Sequence, residues 1–192
     1  MKFDPKAYEK RESERSSGGS SPKQYKQVTP GKKTLHGVHF DRYNAKSGTK
    51  MLRVWFVILK DHTGNGDEGE VVSRSFPLTE KAMFLWFNLC KAIGYLKPHD
   101  LADDDDVANV IGRGACEGEV VAEEYNGKTT LKADLFDRFN GRESDEWDAI
   151  IEKGRASAER ILAKIHEKQA SYSAPAPSSY SASSAPDDDI PF

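Results

Sequence analysis

Aromatic and cationic side chains recur together along this chain at spacings that place them on shared strand faces. Arg53 and Trp55 stand two apart in Met51 to Leu59, a run dense in β-branched and aromatic residues. Arg74 and Phe76 repeat the spacing, and Lys132, Phe136 and Arg138 extend it. Tyr43, Lys46 and Lys50 flank one turn, and Tyr125 and Lys128 flank another. Ring planes stack on unpaired bases and cations neutralise phosphates, so the chemistry these pairs fit is sequence-independent capture of a single nucleic-acid strand. Each aromatic also fits a core position, Phe76 beside Pro77 and Phe136 beside Leu135 most of all.

Catalytic and metal chemistry find little support. His36 and His39 lie three apart on an expected strand and point to opposite faces, so they do not converge on a metal. No P-loop, GxSxG or paired Cys–His arrangement occurs. Asp103 to Asp106 lack the alternating oxygen ligands and later bidentate Glu of a calcium loop. They read instead as the first turn of a helix, where acids complement the positive end. The expectation is a binding protein that is not an enzyme and holds no cofactor or metal.

The elements that would position these residues follow from periodicity. Thr34 to Tyr43, Met51 to Leu59, Glu70 to Phe76, Ala115 to Glu124 and Thr129 to Phe139 read as strands. Within the second, Leu52, Val54, Phe56 and Ile58 share one face, leaving Arg53 and Trp55 on a face expected to be open. In the last, Lys132, Phe136 and Arg138 are expected opposite Leu131, Ala133 and Leu135. Asn126-Gly127 between the last two strands is a strong hairpin signal, because both residues tolerate positive φ. Thr79 predicts an N-cap for an apolar helix over Glu80 to Tyr95. Its broad apolar face fits a single well-buried helix, the simpler reading, or a helix that plugs the barrel and also touches something else, such as another subunit. The order strand, strand, strand, helix, strand, strand matches the five-stranded OB-fold, a mainly β barrel with its helix between the third and fourth strands.

The expected organisation is a flexible basic arm over 1–30 and an OB-fold domain over 31–142. A C-terminal helix over 143–169, a linker over 170–186 and a tip over 187–192 complete it. Net charge is −3, but its distribution is uneven. Residues 1–60 hold 14 Lys/Arg against 5 Asp/Glu, residues 61–125 hold 5 against 14, and residues 126–169 balance at 9 each. The basic first third, more than the overall pI, speaks for a polyanionic partner. Acidic stretches at Asp61 to Glu70 and Asp103 to Asp106 are expected to repel DNA. No run approaches the roughly 18 apolar residues of a membrane span. Met1 to Pro5 lack the apolar core of a secretory signal, and Cys90 and Cys116 stand far apart. Both features suggest reduced thiols and a cytoplasmic location.

The stretch 170–186 contains only Ser, Ala, Pro and Tyr, and cannot bury enough apolar surface to offset its ordering entropy. It leads to Asp187-Asp188-Asp189-Ile190-Pro191-Phe192. That ending resembles the acidic C-terminal tip of bacterial single-stranded-DNA-binding proteins, and the body is similar to divergent phage or plasmid forms of them. The resemblance implies an OB-fold that coats single-stranded DNA in replication, recombination or repair. It further implies that Ile190, Pro191 and Phe192 enter a pocket on a partner protein of helicase, primase, polymerase or exonuclease type. Asp187, Asp188 and Asp189 would meet that partner's basic ridge. The long apolar helix departs from the ordinary bacterial pattern and puts the family's usual homotetramer in doubt. The alternative is an adaptor or decoy that uses the tip to occupy host pockets without binding DNA.

Overall fold

The computed structural model describes residues 28–125 and 128–173. Five strands form a closed barrel: β1 (Gly31–Asn44), β2 (Lys50–Asp61), β3 (Val71–Pro77), β4 (Ala115–Tyr125) and β5 (Lys128–Arg138), in the order β1-β2-β3-β5-β4. All neighbours run antiparallel except β3 and β5, which meet in parallel at Ser73 and Lys132. Between β3 and β4 lie a 3₁₀ turn (Glu80–Ala82) and helices α1 (Met83–Ala92) and α2 (Asp104–Ile111). The long helix α3 (Trp147–Ser173) follows β5. This is a mainly β, OB-type barrel with added helices. The basic arm falls outside the described residues as far as residue 27, as do most of the linker and the whole tip. The Asn126-Gly127 turn also lies outside them.

Alternation along β2 explains the barrel interior. Leu52, Val54, Phe56 and Ile58 point inward and meet Leu35, Val72, Phe76, Val120 and Ala133. Trp86, Leu89 and Cys90 of α1 and Val107, Val110 and Ile111 of α2 complete that core. The helix expected from Glu80 divides, since Thr79 makes no side-chain cap and the first turn is 3₁₀. Asp103 does cap α2, accepting hydrogen bonds from the backbone N–H groups of Asp105 and Asp106. Strand β1 starts three residues earlier than its alternation suggests because Gly31, Lys32 and Lys33 pair with Val120, Glu119 and Gly118 of β4.

The opposite face of β2 is also buried. Trp55, Val57 and Leu59 join Val38 of β1 and Ala158 of α3, with Trp147, Ile150, Ile151 and Ile165 packed around them. Helix α3 lies so close that a Cβ at Gly154 would sit 2.5 Å from Val57 Cβ. The nearly unbroken apolar run of β2 is therefore the mark of a strand covered on both sides.

Beneath one barrel end, Lys33 is fully buried with its ammonium 2.6 Å from Asp61 Oδ1 and 2.8 Å from Asp67 Oδ2. Thr29 and Thr63 also accept from it. Burial alone would lower the lysine pKa, but the two carboxylates outweigh it and hold the group above its ordinary value. Both carboxyls lie below theirs: burial opposes ionisation, and the Lys33 hydrogen bond leads the contributions that overcome it. Two acids of the 61–70 loop thus serve the fold.

Candidate nucleic-acid interface

The β1–β2 hairpin and the sheet surface beside it bring several of the expected residues together. Asp41 of β1 receives two hydrogen bonds from the Arg53 guanidinium, 2.8 Å from Nε and 2.6 Å from Nη2. The same carboxylate accepts from Trp55 Nε1 at 3.0 Å. The Arg53 guanidinium carbon lies 5.0 Å from the ring centres of both Tyr43 and Trp55. Tyr43 Oη reaches Ser75 Oγ of β3 at 2.9 Å. Cross-strand pairing produces this cluster, since Arg53 stands opposite both Asp41 and Ser75. An ion pair with two hydrogen bonds and flanking rings holds the guanidinium in one place.

This arrangement corrects the expected roles of Arg53 and Trp55. Trp55 is only 6% exposed beneath α3, so its ring does not offer a free plane for a base. Arg53 is largely covered and its charge is balanced by Asp41. Tyr43 remains half-buried at the edge of the cluster, while Lys46 and Lys50 are exposed. Neither lysine makes an ion pair among the described residues.

Arg74 and Phe76 are corrected more sharply. They pair with Val54 and Leu52, the inward residues of β2, so they share the interior face. Phe76 is 1% exposed and meets Trp86 edge-on at 5.5 Å. Arg74, at the seam between β3 and β5, binds Asp134 at 2.8 Å. A bulge corrects the last strand. Glu117 pairs with Asp137 and Glu119 with Asp134, so Leu135 and Phe136 both oppose Gly118. One extra residue reverses the alternation. Phe136 turns inward to Phe56 and Phe76, and Leu135 turns outward, 69% exposed with φ +50°. A Cβ on Gly118 would lie 2.7 Å from Leu35, which is why glycine faces the bulge.

Lys132 pairs with Glu123 at 2.9 Å, and Arg138 is exposed at the end of β5. Tyr125 and Lys128 end β4 and begin β5 as cross-strand neighbours. Asp187, Asp188, Asp189, Ile190, Pro191 and Phe192 lie outside the described residues.

Open aromatic surface occurs instead on α1. Phe84 and Phe87 are 60% and 58% exposed, the two most open aromatic side chains described. The helix is pinned by Trp86, whose Nε1 donates to His99 Nε2 at 2.8 Å. The other nitrogen, His99 Nδ1, then carries the proton and donates to the Lys97 carbonyl at 3.0 Å. With Trp86, Leu89, Cys90 and Ala92 turned inward, Phe84 and Phe87 must face out. Full burial of each would stabilise the fold by roughly 1.5–3 kcal/mol, so the chain forgoes a measurable gain by exposing them. The breadth of the apolar pattern from Met83 to Ile93 was the available sequence signal for this surface.

Two open grooves connect the hairpin with α1. One, about 760 Å³, lies among Arg42, Tyr43, Lys50, Met51, Met83 and Leu101. The second, about 390 Å³, is walled by Phe84, Trp86, Phe87 and His99 and shares Met83 and Leu101 with the first. Glu80 and Asp100 also border the larger groove, so its cations face some opposing charge. No group of three or more His, Cys, Asp or Glu residues suited to a metal occurs among the described residues. No helix among them is long and apolar enough to cross a membrane. No protein-family model matches this chain, and comparison with curated proteins yields no match.

Proposed function

We propose that this chain binds single-stranded DNA without sequence preference and recruits other proteins through Asp187 to Phe192. The observation carrying the proposal is the OB-type barrel with Tyr43, Lys46 and Lys50 gathered at its β1–β2 hairpin, one of the loops through which OB-folds take up oligonucleotides. The tip sequence supports the same reading, as does the basic first third of the chain. DNA would run past the hairpin, its phosphates near Lys46 and Lys50, with Lys128 and Arg138 as further cations. The Arg53 cluster would act as a rigid floor holding Tyr43 in place. The protein would work in the cytoplasm in replication, recombination or repair, with no catalytic step of its own. Its partners would be helicase-, primase-, polymerase- or exonuclease-type proteins.

A second reading draws on a specific observation. Trp55 and Phe76, both candidates for base stacking, are buried, which favours a tip-bearing adaptor that does not touch DNA. Anisotropy of a labelled 30-nucleotide oligo(dT), titrated with the full chain at several salt concentrations, separates the two. Coating predicts saturable binding whose log–log salt slope is about −0.7 for each phosphate neutralised. Lys46→Ala/Lys50→Ala should make that slope shallower by about 1.4. Absence of binding at low salt would reject the coating role and leave the adaptor.

A further inference from the structure

We infer that the solvent face of α1 is a contact strip for single-stranded DNA, with Phe84 and Phe87 as base platforms between Lys81 and Lys91. The inference rests on the proposed DNA-binding role and specifies a surface away from the sheet. Lys81, Phe84, Phe87, Asn88 and Lys91 are all exposed on consecutive turns. The two lysines are ten positions apart, about 15 Å along a helix. Phe84 and Phe87 are three apart and therefore neighbours on its surface.

Charge selects the occupant. Residues 61–125 carry nine more acids than bases, yet between Glu80 and Asp100 the sequence holds Lys81, Lys91 and Lys97 and no carboxylate. An acid-rich segment thus spares the stretch where, among the described residues, aromatic rings stand most open to solvent. Aromatic planes flanked by cations suit a strand with unpaired bases and regularly spaced phosphates. A purely apolar partner would gain nothing from the flanking lysines.

Continuity points the same way. The groove beside Phe84 and Phe87 shares the Met83 and Leu101 walls with the hairpin groove. At the other end of the helix, Asn88 and Lys91 border a further groove of about 550 Å³ that reaches Arg138, with the Asp137 carboxylate also on its wall. A strand entering at Lys50 would therefore pass the two phenyl rings and leave near Arg138.

The test combines variants with a mapping experiment on the unmodified chain. Phe84→Ala/Phe87→Ala should weaken oligo(dT) binding roughly thirtyfold or more, the order expected for losing two stacked bases. Lys81→Ala/Lys91→Ala should make the salt slope shallower by about 1.4. Thermal unfolding of both variants should match the parent. Oligo(dT) carrying 5-iodouracil, irradiated with wild-type protein and mapped by mass spectrometry, should yield adducts at Phe84 or Phe87. If the parent binds but the Phe variant stays within twofold, the strip is rejected while the general DNA-binding role stands. Adducts confined to Tyr43 or other sheet residues also reject it. An unchanged affinity with loss of a dimer in sedimentation would make this face a contact between copies of the chain. Failure of the parent to bind removes the role itself.

Discussion

Lys33 shows how much one buried charge can organise. Its ammonium has no solvent contact and ties together Asp61, Asp67, Thr29 and Thr63, so the acidic loop after β2 folds back onto β1. Replacing the charge leaves two buried carboxylates without their cation. Lys33→Met should therefore destabilise the chain by about 3–5 kcal/mol, seen as a lower urea midpoint. Recovery in Lys33→Met/Asp61→Asn/Asp67→Asn would identify stranded charge as the cause. A single-variant loss below about 1 kcal/mol would mean that other groups satisfy the acids. Arg53 follows the same logic at the surface: Asp41 and two rings fix it, so it shapes the neighbourhood of Tyr43 without offering a free charge.

Among the elements, α3 determines which part of the sheet is open. Its contact with β2 turns on Gly154, directly over Val57. In an exposed helix, glycine to alanine stabilises by roughly 1 kcal/mol. Here the added methyl meets side-chain carbon at 2.5 Å, so Gly154→Ala should instead destabilise by about 1–3 kcal/mol. Tryptophan emission should shift to the red if α3 lifts from Trp55; a stabilised variant with unchanged emission would contradict this packing. The five strands and the helical insertion were legible because alternation and turn chemistry are local. The α3 cover was not, because its scattered apolar residues look like those of a surface helix until a sheet is placed beneath them. Nor was the β5 bulge, which lies opposite Gly118 of β4, where Leu35 of β1 leaves no room for a Cβ. Those two tertiary effects account for the displacement of Trp55 and Phe136 from the expected interface. Phe76 reflects a third, the choice of which β3 face turns inward; the position of Tyr43, Lys46 and Lys50 around the first hairpin turn was legible because turn chemistry is local.

For the molecule as a whole, the division of charge acquires a physical geography. Acids cluster at the Lys33 end and along β4, and the acidic start of α2 meets the hairpin through the Arg42–Asp104 ion pair. The hairpin and the outer side of α1 keep exposed lysines. A polyanion would be steered toward that side, with an effect that shortens as salt reduces the screening length to about 8 Å at physiological ionic strength. The two cysteines lie at different depths of this architecture. Cys90 belongs to α1 and Cys116 to β4; both are buried, and burial pushes both thiols up to about 12. The native chain should consequently resist alkylation near neutral pH, since the reactive thiolate is scarce and covered. Each thiol then becomes a silent clock that starts only when its own element opens. In pulsed alkylation with mass readout, earlier labelling of Cys90 than of Cys116 would record α1 leaving an intact barrel. Equal rates would record both elements opening as one. The molecule thus carries, without any added probe, a timer for the order in which it comes apart.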